Sequence, residues 1–562
     1  MLQLQPVFSA GLLQTHVTLS SSGVIQQTPT ETYTYIISVS DSNYQMKDGI
    51  TGQIVFQSTN SSQVFSNVVG NCSVGSSIDV ESGVYAVNTM WTMIHVNNVT
   101  MNFENGAELV AGNGLDSSVL MLYESNNNLI NGITINGNAA NQVLVPSGAV
   151  FTSPNGITIL GSNNKVDNAL IFNCRQVGVE IWGTGVLGTA VHSGVVNSLI
   201  YDCGWNGITI GDVNDYVINN EIYGCGDVGV STYGVSTLIT GNYIHDMNGT
   251  TGFNNANWGI GVEGGDSHVI TQNTIQDCSV GITNSGFNNC TISENTITNV
   301  GYVSVNPLWL GGGEYGISLS GKYNIVADNQ VTGMHSNIPE YLGGIGIYLS
   351  SATFNLISGN IISQCGSGGI FLDGVSNNNT VSLNMAFDTL AGQYYDQVYG
   401  ASGIEAKGSN NYISQNQCFD TRSGAARTQQ YGIAMDPGAH NNILIGNNVH
   451  NNLNGQITDT NVPENIMINN TGYNPVGPIA SPIAGNTAYL VDSGSNSTWI
   501  SGMVYTNTGS PKVLNISGGT VSVVAQNGVT LFMATGCTVA LQPGDTFSVT
   551  FSTAPSINVS GQ

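Results

Sequence analysis

Acidic and basic side chains that could act together in catalysis stand at matched positions of three successive repeats. Asp373, Glu405, Lys407 and Asp436 lie within or just after a Gly-Ile pattern, in a chain with only 7% charged residues. A typical soluble domain has about 25%. Glycoside hydrolysis uses two carboxyl groups that flank the scissile bond, one as general acid and one as base or nucleophile. The cluster therefore predicts the catalytic residues of a polysaccharide-degrading enzyme.

The spacing of these groups follows from strand geometry if the repeats stack as parallel strands. Neighbouring strands lie about 4.8 Å apart, and alternate residues of one strand about 6.6 Å apart. Asp373 and Asp436, two rungs apart in one column, should then be about 9.6 Å apart, with Glu405 roughly 8 Å from either. Inverting hydrolases need about 6.5–9.5 Å and retaining ones about 5–5.5 Å. We predict an inverting glycoside hydrolase with Glu405 or Asp373 as the acid; alternatively, Lys407 merely neutralises acidic neighbours on a solvated face.

Two other function classes would use this region differently. Lys407, Arg422 and Arg427 are three of only eight cationic side chains, and they lie in one repeat and its loop. A polysaccharide lyase or epimerase needs a base and a cation that stabilises an enolate-like intermediate, which Lys407 with either arginine could supply. A non-catalytic glycan-binding surface protein would need aromatic residues but no carboxylate pair. A smaller acidic cluster, Glu263 and Asp266, is the next candidate site.

The repeat that positions these residues combines the patterns Asn-x-[Ile/Val/Leu] and Gly-[Ile/Val]-x-apolar-x, and its shortest copies span 22–24 residues. One copy holds three short strands that alternate in and out, so only stacking on neighbouring copies buries its apolar side. Asn tolerates left-handed backbone and bonds neighbouring amides, which predicts an amide ladder at one corner. The asparagines assigned to this ladder are Asn168, Asn197, Asn220, Asn242, Asn273, Asn295, Asn329, Asn360, Asn384, Asn416 and Asn447.

This repeat resembles those of the pectate-lyase-like superfamily, which includes polygalacturonases, pectate and alginate lyases, epimerases and phage tailspikes. The resemblance covers roughly residues 41–475 and includes an expected capping helix at 59–69, with Val64, Phe65, Val68 and Val69 on one side. It implies an all-β fold, a right-handed single-stranded parallel β-helix. We predict that residues 1–40 form hairpin strands covering its N-terminal end, and that 487–562 form a small C-terminal β-sandwich.

Several repeats carry about ten extra residues between the Asn strand and the Gly-Ile strand, at 246–257, 299–314, 333–343, 387–401 and 419–430. Loops that emerge at one corner form a wall beside the Gly-Ile face, and loops on rigid scaffolds often carry function. Their aromatic residues, with Trp258 and Tyr302 among them, can stack on sugar rings or simply pack over the helix. The predicted substrate-binding residues are Tyr348, Phe371, Trp309, Tyr341, Tyr394, Tyr395, Tyr399, Arg422, Arg427 and Glu263.

The net charge of −26, from 34 acidic and 8 basic side chains, narrows the choice of partner. Nucleic acids are bound through Lys and Arg, and anionic membranes attract the same residues, so we expect neither as a partner. A polyanionic polysaccharide is disfavoured by the same field. The sequence has no apolar run long enough to span a membrane. We expect a polysaccharide partner, an extracellular or cell-surface location, and a monomer or homotrimer.

The cysteines and histidines do not indicate a metal ion or a cofactor. Cys174, Cys203, Cys225, Cys278 and Cys365 all stand a few residues before the Gly-Ile strand, which predicts an inward-facing ladder of small apolar side chains. The eight histidines show no pair at zinc-ligand spacing. We expect no cofactor, and nothing in the sequence indicates a bound calcium ion. The scarcity of charges also predicts that the fold tolerates acid, because there are few ion pairs to lose.

Overall fold

The computed structural model describes residues 18–19, 25–26, 33–143, 153–183, 191–247, 256–301, 314–335, 344–389, 401–459, 465–472, 487–489, 504–507, 511–532, 537–553 and 555–561. Most of these residues belong to short parallel strands that stack rung on rung into three long sheets, which we call A, B and C. The chain passes from sheet A to B to C in each rung. The predicted parallel β-helix is confirmed.

Sheet A holds the Gly-Ile strands, and sheets B and C hold the two strands that follow in each rung. Sheet A comprises Trp91–Ile94, Leu120–Tyr123, Ile157–Leu160, Val179–Ile181, Ile208–Ile210, Val228–Thr232, Trp258–Val262, Val280–Asn284, Tyr315–Leu319, Ile345–Leu349, Gly368–Leu372, Ser402–Ala406, Tyr431–Met435 and Gly455–Asp459. Sheet B comprises Ser77–Val80, Thr100–Phe103, Leu129–Asn131, Lys165–Asp167, Gly194–Val196, Tyr216–Ile218, Leu238–Thr240, Val269–Thr271, Thr291–Ser293, Ile325–Ala327, Leu356–Ser358, Thr380–Ser382, Tyr412–Ser414, Ile443–Ile445 and Ile466–Ile468. Sheet C comprises Gly83–Val87, Ala107–Ala111, Thr134–Asn136, Leu170–Phe172, Leu199–Tyr201, Glu221–Tyr223, Tyr243–His245, Thr274–Gln276, Thr296–Thr298, Gln330–Thr332, Ile361–Ser363, Met385–Phe387, Gln417–Phe419 and Asn448–His450.

The interior between the sheets is filled by Ile, Val and Leu from the inward position of each strand. The predicted cysteine ladder is confirmed, because all five cysteines of that register are buried and unbridged. A thiol behaves as a small apolar group with a weak donor, so it fills the corner without the hydrogen-bond partner that a buried hydroxyl would need. The ladder is therefore part of the core.

The asparagine ladder is confirmed between sheets B and C, but its first members are shifted by one residue. Each ladder asparagine accepts a hydrogen bond from the backbone of the previous rung, as Oδ1 of Asn242 does from the Asn220 amide at 2.9 Å. The left-handed residue of the turn is the one before the ladder position, and Asn168 (φ 52°) and Asn197 (φ 50°) occupy it. Ala169 and Ser198 therefore stand in the ladder itself. We assigned the left-handed backbone and the stacked amide to one residue. In the structure, one residue has the left-handed backbone and the next residue stands in the ladder.

A second ladder at the corner between sheets A and B was not predicted. From Asn324 onward it consists of stacked asparagines: Asn324, Asn355, Asn379, Asn411, Asn442 and Asn465. Nearer the N-terminus the same position holds Asn128 and Asn164, followed by other side chains, among them Ser193, Asp215 and His268. Asp215 thus stands where other rungs have an amide.

The N-terminal end of the β-helix is closed by antiparallel strands and one α-helix. Tyr35–Ser40 pairs with Asn43–Asp48, which pairs with Ile54–Ser58, and Tyr35–Ser40 also extends sheet B. A further short hairpin joins Thr18–Leu19 to Ile25–Gln26. The capping helix spans Ser61–Asn71, slightly later than predicted. It buries Val64, Phe65 and Val68 against the first rungs.

The C-terminal residues form two small, mainly antiparallel sheets, as we predicted. One contains Thr487–Tyr489, Val504–Thr506, Thr546–Thr553, Thr520–Gln526 and Val529–Phe532, and the other Cys537–Leu541, Lys512–Ser517 and Ser556–Gly561. Leu514, Val524 and Phe547 are buried there. The exact boundaries of the three predicted domains stay predictions.

Candidate functional site

The outer face of sheet A has the register that the repeat predicts. Phe371 pairs with Glu405, and Glu405 pairs with Ala434, in one outward column. Asp373, Lys407 and Asp436 follow the ends of these three strands, and their amides continue the parallel ladder. The four charged candidates therefore lie on three consecutive rungs of one face.

Lys407 joins two of the three predicted carboxylates. Its Nζ atom lies 3.1 Å from Asp436 Oδ2 and 3.5 Å from Glu405 Oε1. Because both oxygens bind one nitrogen, they are less than about 7 Å apart, which is closer than the roughly 8 Å that we predicted and no more than the lower limit of the range for inverting hydrolases. The side chain of Lys407 is 29% exposed, against 6% for Glu405 and 7% for Asp436. We call these three residues the Lys407 cluster.

Asp373 is engaged elsewhere. Its carboxylate accepts hydrogen bonds from the amide of Ser351 at 3.0 Å, the amide of Val375 at 3.1 Å and the hydroxyl of Ser376 at 2.7 Å. These bonds hold the turn after strand Gly368–Leu372, and within the described residues no ion pair joins Asp373 to Lys407. The predicted trio of carboxylates is therefore a pair in this structure.

An aromatic row leads up to the Lys407 cluster along sheet A. Tyr315 stacks on Tyr348 with ring centroids 4.6 Å apart, and Tyr348 is followed by Phe371 at 5.6 Å. Lys407 Nζ lies 5.2 Å from the centroid of the Phe371 ring, a distance at which a cation is attracted to the ring face. Burial raises the pKa of both tyrosines, so their hydroxyls remain neutral donors.

Arg422 and Arg427 lie at the opposite edge of sheet A from Lys407. They belong to the corner loop before strand Tyr431–Met435, whereas Asp436 follows the end of that strand. Arg422 forms a two-pronged ion pair with Asp420 at 2.7 and 2.9 Å, and Arg427 donates to the carbonyls of Gly424 and Asn452. Burial opposes ionisation of Asp420, but hydrogen bonds from Arg422 and backbone amides outweigh it and lower its pKa. Both arginines thus stabilise the loop, and neither is brought next to Lys407.

Most of the predicted aromatic wall lies outside the described residues. This applies to Tyr302, Trp309, Tyr341, Tyr394, Tyr395 and Tyr399. Trp258 is described, and it begins strand Trp258–Val262 as a half-buried side chain. The contribution of the wall to binding stays a prediction.

Glu263 lies in a separate group on the same face, five rungs before the Lys407 cluster. Its carboxylate accepts hydrogen bonds from the hydroxyls of Ser231 at 2.6 Å and Tyr233 at 2.7 Å. Asp266, which we grouped with it, instead accepts from the amide of Asn288 in a corner turn. Sequence reasoning did not select Tyr233, although its outward position in the same column could have indicated it.

Glu180 is a further carboxyl group that we did not select. It lies on the outer face of sheet A, and Asn155 Nδ2 donates to its Oε2 at 2.6 Å. Burial raises the pKa of Glu180 to about 7, despite that hydrogen bond. Residues of neighbouring rungs bury Glu180, so the sequence around it gave no indication of its raised pKa.

Within the described residues, no group of three or more His, Cys, Asp or Glu side chains could hold a metal ion. In the same part of the chain, no helix is long and apolar enough to cross a membrane.

One family model matches part of this sequence, and several solved structures are similar to the chain. A family model described as a right-handed β-helix region matches residues 184–337 and 251–396. No curated protein matches the sequence. Among solved structures, the chain is similar to the A-module of a mannuronan C-5 epimerase from Azotobacter vinelandii, at 12% identity over 74% of this chain and 94% of that one, with a TM-score of 0.41. It is also similar to the Dettilon tailspike protein (14% identity, 89% and 76% covered, TM-score 0.38) and to DFA-IIIase from Arthrobacter chlorophenolicus (12%, 57% and 89%, TM-score 0.42).

These similarities concern the fold alone. The stacked rungs, the three parallel sheets and the matching family model together identify the chain as a right-handed parallel β-helix protein.

Proposed function

We propose that this protein is a glycoside hydrolase that cuts a neutral polysaccharide on the outer face of sheet A. The observation that carries the proposal is the Lys407 cluster, in which one partly exposed ammonium group binds two carboxylates that are almost fully buried. A carboxyl pair on a solvent-facing surface beside aromatic rings suits glycosidic bond cleavage.

The unequal contacts of Lys407 suggest different roles for the two carboxyl groups. An inverting hydrolase needs one carboxyl group protonated as the acid and the other ionised as the base. Asp436 is nearer to Nζ, at 3.1 Å against 3.5 Å for Glu405. We therefore assign Asp436 as the ionised base that activates water, and Glu405 as the general acid that protonates the leaving oxygen.

The aromatic row would bind the sugars next to the cleaved bond. Tyr315 and Tyr348 present half-buried rings on two successive rungs. Rings of this kind combine an apolar face with a hydroxyl that can donate to a sugar oxygen. They would hold the polymer so that the next glycosidic bond reaches Glu405.

The test compares three isosteric variants. Glu405→Gln and Asp436→Asn should each lower kcat by roughly 10²–10⁴-fold, the usual contribution of a positioned acid or base. Asp373→Asn is the matched control, and it should change kcat by less than about threefold, because Asp373 only holds a turn. Release of reducing ends from a panel of neutral polysaccharides measures turnover, and proton NMR of the first products should show inverted anomers.

The other function classes predict different results in the same assay. With alginate or another uronate polymer added to the panel, an unsaturated product detected by ultraviolet absorbance would replace the hydrolase with a lyase that uses Lys407. Equal activity in all three variants would remove the Lys407 cluster from consideration. Full binding without any product from any polymer would favour a non-catalytic glycan-binding protein.

We also propose that the protein works outside the cell or at its surface, where polysaccharides are found. A monomer or a homotrimer stays our prediction for its oligomeric state, and light scattering on the purified full chain would measure it.

A further inference from the structure

An aromatic and acidic column occupies the outer face of sheet A well before the Lys407 cluster. Trp182, Gly211, Tyr233 and Glu263 follow the ends of four successive strands, and their backbone amides each bond the preceding rung. Strands are about 4.8 Å apart, so Glu263 lies on the order of 24 Å from the rung of Lys407. The column is thus too distant to take part in the same bond cleavage.

The glycine in this column allows the tryptophan to pack against the backbone. A Cβ atom on Gly211 would lie only 2.0 Å from a ring carbon of Trp182. Beyond Gly211 the indole meets Tyr233 edge to face, with centroids 5.5 Å apart and planes at 61°. Both rings are only partly buried, so they form an aromatic corner that a sugar ring can contact.

The polar groups of the column are acceptors held in place by hydroxyls. Each oxygen of Glu263 receives one hydroxyl hydrogen bond, from Ser231 and Tyr233. An ionised carboxylate has about four lone-pair sites, so it can still accept from a ligand. Among the described residues, no Lys, Arg or His forms an ion pair with Glu263. A ligand here must donate hydrogen bonds, and an anionic ligand would be repelled.

We propose that Trp182, Tyr233 and Glu263 form a second carbohydrate-binding site, which takes an uncharged, hydroxyl-rich sugar of the polymer. Trp182 and Tyr233 contact the apolar face of the sugar ring, and Glu263 accepts from two of its hydroxyls. The distance to the Lys407 cluster means that one chain can occupy both places. Simultaneous occupation of both sites rests on the proposed function, whereas sugar binding at Trp182 does not.

Affinity electrophoresis of the full chain tests the site without any turnover. The gels contain dextran, mannan, xylan or laminarin, and alginate serves as the anionic contrast. At least one neutral polymer should retard the wild-type protein. Trp182→Ala should then weaken binding about tenfold, as loss of a central aromatic contact usually does, and Glu263→Gln should weaken it less. Trp182→Phe should restore part of the affinity.

The control is Tyr412→Ala, which removes a half-exposed ring from sheet B. It should leave retardation unchanged, and melting temperatures of all variants must match within a few degrees. The inference is overturned if no neutral polymer retards the protein, if only alginate does, or if Tyr412→Ala and Trp182→Ala behave alike. Full activity of Glu405→Gln would instead overturn the proposed function and leave this site standing.

Discussion

The two halves of sheet A stabilise their partly buried carboxyl groups in different ways. In the half that ends at strand Trp258–Val262, the partners are neutral: Asn155 for Glu180, and Ser231 and Tyr233 for Glu263. In the half that follows, the partner is a cation, Lys407, which binds Glu405 and Asp436. Carboxyl groups at the corners beside the sheet also have a neutral partner in the first half and a cationic partner in the second. Asp215 accepts from the amide of Ser193, and Asp420 pairs with Arg422.

The kind of partner, neutral or cationic, goes with the direction in which the pKa of the carboxyl group is shifted. Burial raises the pKa of Asp215 to about 8 and of Glu180 to about 7, whereas the Arg422 contacts lower the pKa of Asp420. Asp215 and Glu180, which are buried without a cation, hold their protons to a higher pH than usual, whereas Asp420 beside Arg422 is ionised down to a lower pH than usual. Among these groups, only those of the second half are paired with a cation, and that half is where we place the chemistry. Acid should therefore favour the first half and weaken the second.

The largest effect is expected when the cation is removed. Lys407→Met removes the ammonium that binds Glu405 and Asp436, and removing one partner of a buried ion pair costs about 3–5 kcal/mol. Because Lys407 is partly exposed, we expect the lower end of that range. Urea unfolding near pH 7 measures it, with Lys322→Met at an exposed position as the control. An equal, small loss in both variants would mean that the two halves do not differ as we infer.

The next prediction concerns Asp215, which stands in a ladder position held by asparagine elsewhere. The folded protein retains its proton up to about pH 8, while the unfolded chain loses it near the ordinary value of 3.8. The native state therefore binds more protons between these values, and its stability falls as pH rises through that interval. Asp215→Asn should add almost nothing at about pH 4 and roughly 2 kcal/mol at about pH 5.5, because each pH unit above the unfolded pKa is worth about 1.4 kcal/mol. Thermal unfolding at both pH values measures the difference.

Asn164 in the same ladder shows that an amide fits this corner, since its Nδ2 donates to the carbonyl of Ser125 at 2.7 Å. A loss of stability in Asp215→Asn at high pH would show that the carboxylate is ionised and bound in a way that an amide cannot replace.

Asp420 should respond to pH in the opposite direction. Its lowered pKa means that its stabilising contribution is present above the ordinary value of 3.8 and is lost as pH falls through the lower folded value. Arg422→Gln should cost about 1 kcal/mol near neutral pH, because the pair is partly exposed. The cost should vanish in acid, where wild type and variant should unfold at the same temperature. If Arg422→Gln lowers the stability equally at all pH values, the effect comes from packing of the aliphatic part of the arginine and not from its ion pair.

The smallest effect is expected where Ser231 and Tyr233, two uncharged donors, bind Glu263. Tyr233→Phe removes one hydroxyl donor from Glu263, and because Tyr233 is only partly buried we expect a cost of about 0.5 kcal/mol, the lower end for one hydrogen bond. Denaturant unfolding measures it, and a cost as large as that of Lys407→Met would contradict the division of sheet A into two kinds of carboxyl environment.

Our prediction of acid tolerance stays untested, but the structure changes its reason. We expected tolerance because few charges could be lost. Asp215 and Glu180 add a positive contribution, since both hold protons that the unfolded chain would release at neutral pH. Composition cannot reveal this, because burial of a carboxyl group depends on residues from neighbouring rungs.

The sequence by itself determined the stacking of the rungs and the side of the sheet on which each residue lies. Strands alternate with a period of two, and in-register stacking repeats that alternation, so the pairing of Phe371, Glu405 and Ala434 could be predicted. Only the tertiary structure decided which groups meet. Lys407 has a long side chain that reaches Asp436 and Glu405, while turn amides and Ser376 take up Asp373. Such choices depend on competition between donors in three dimensions, which a repeat pattern does not encode.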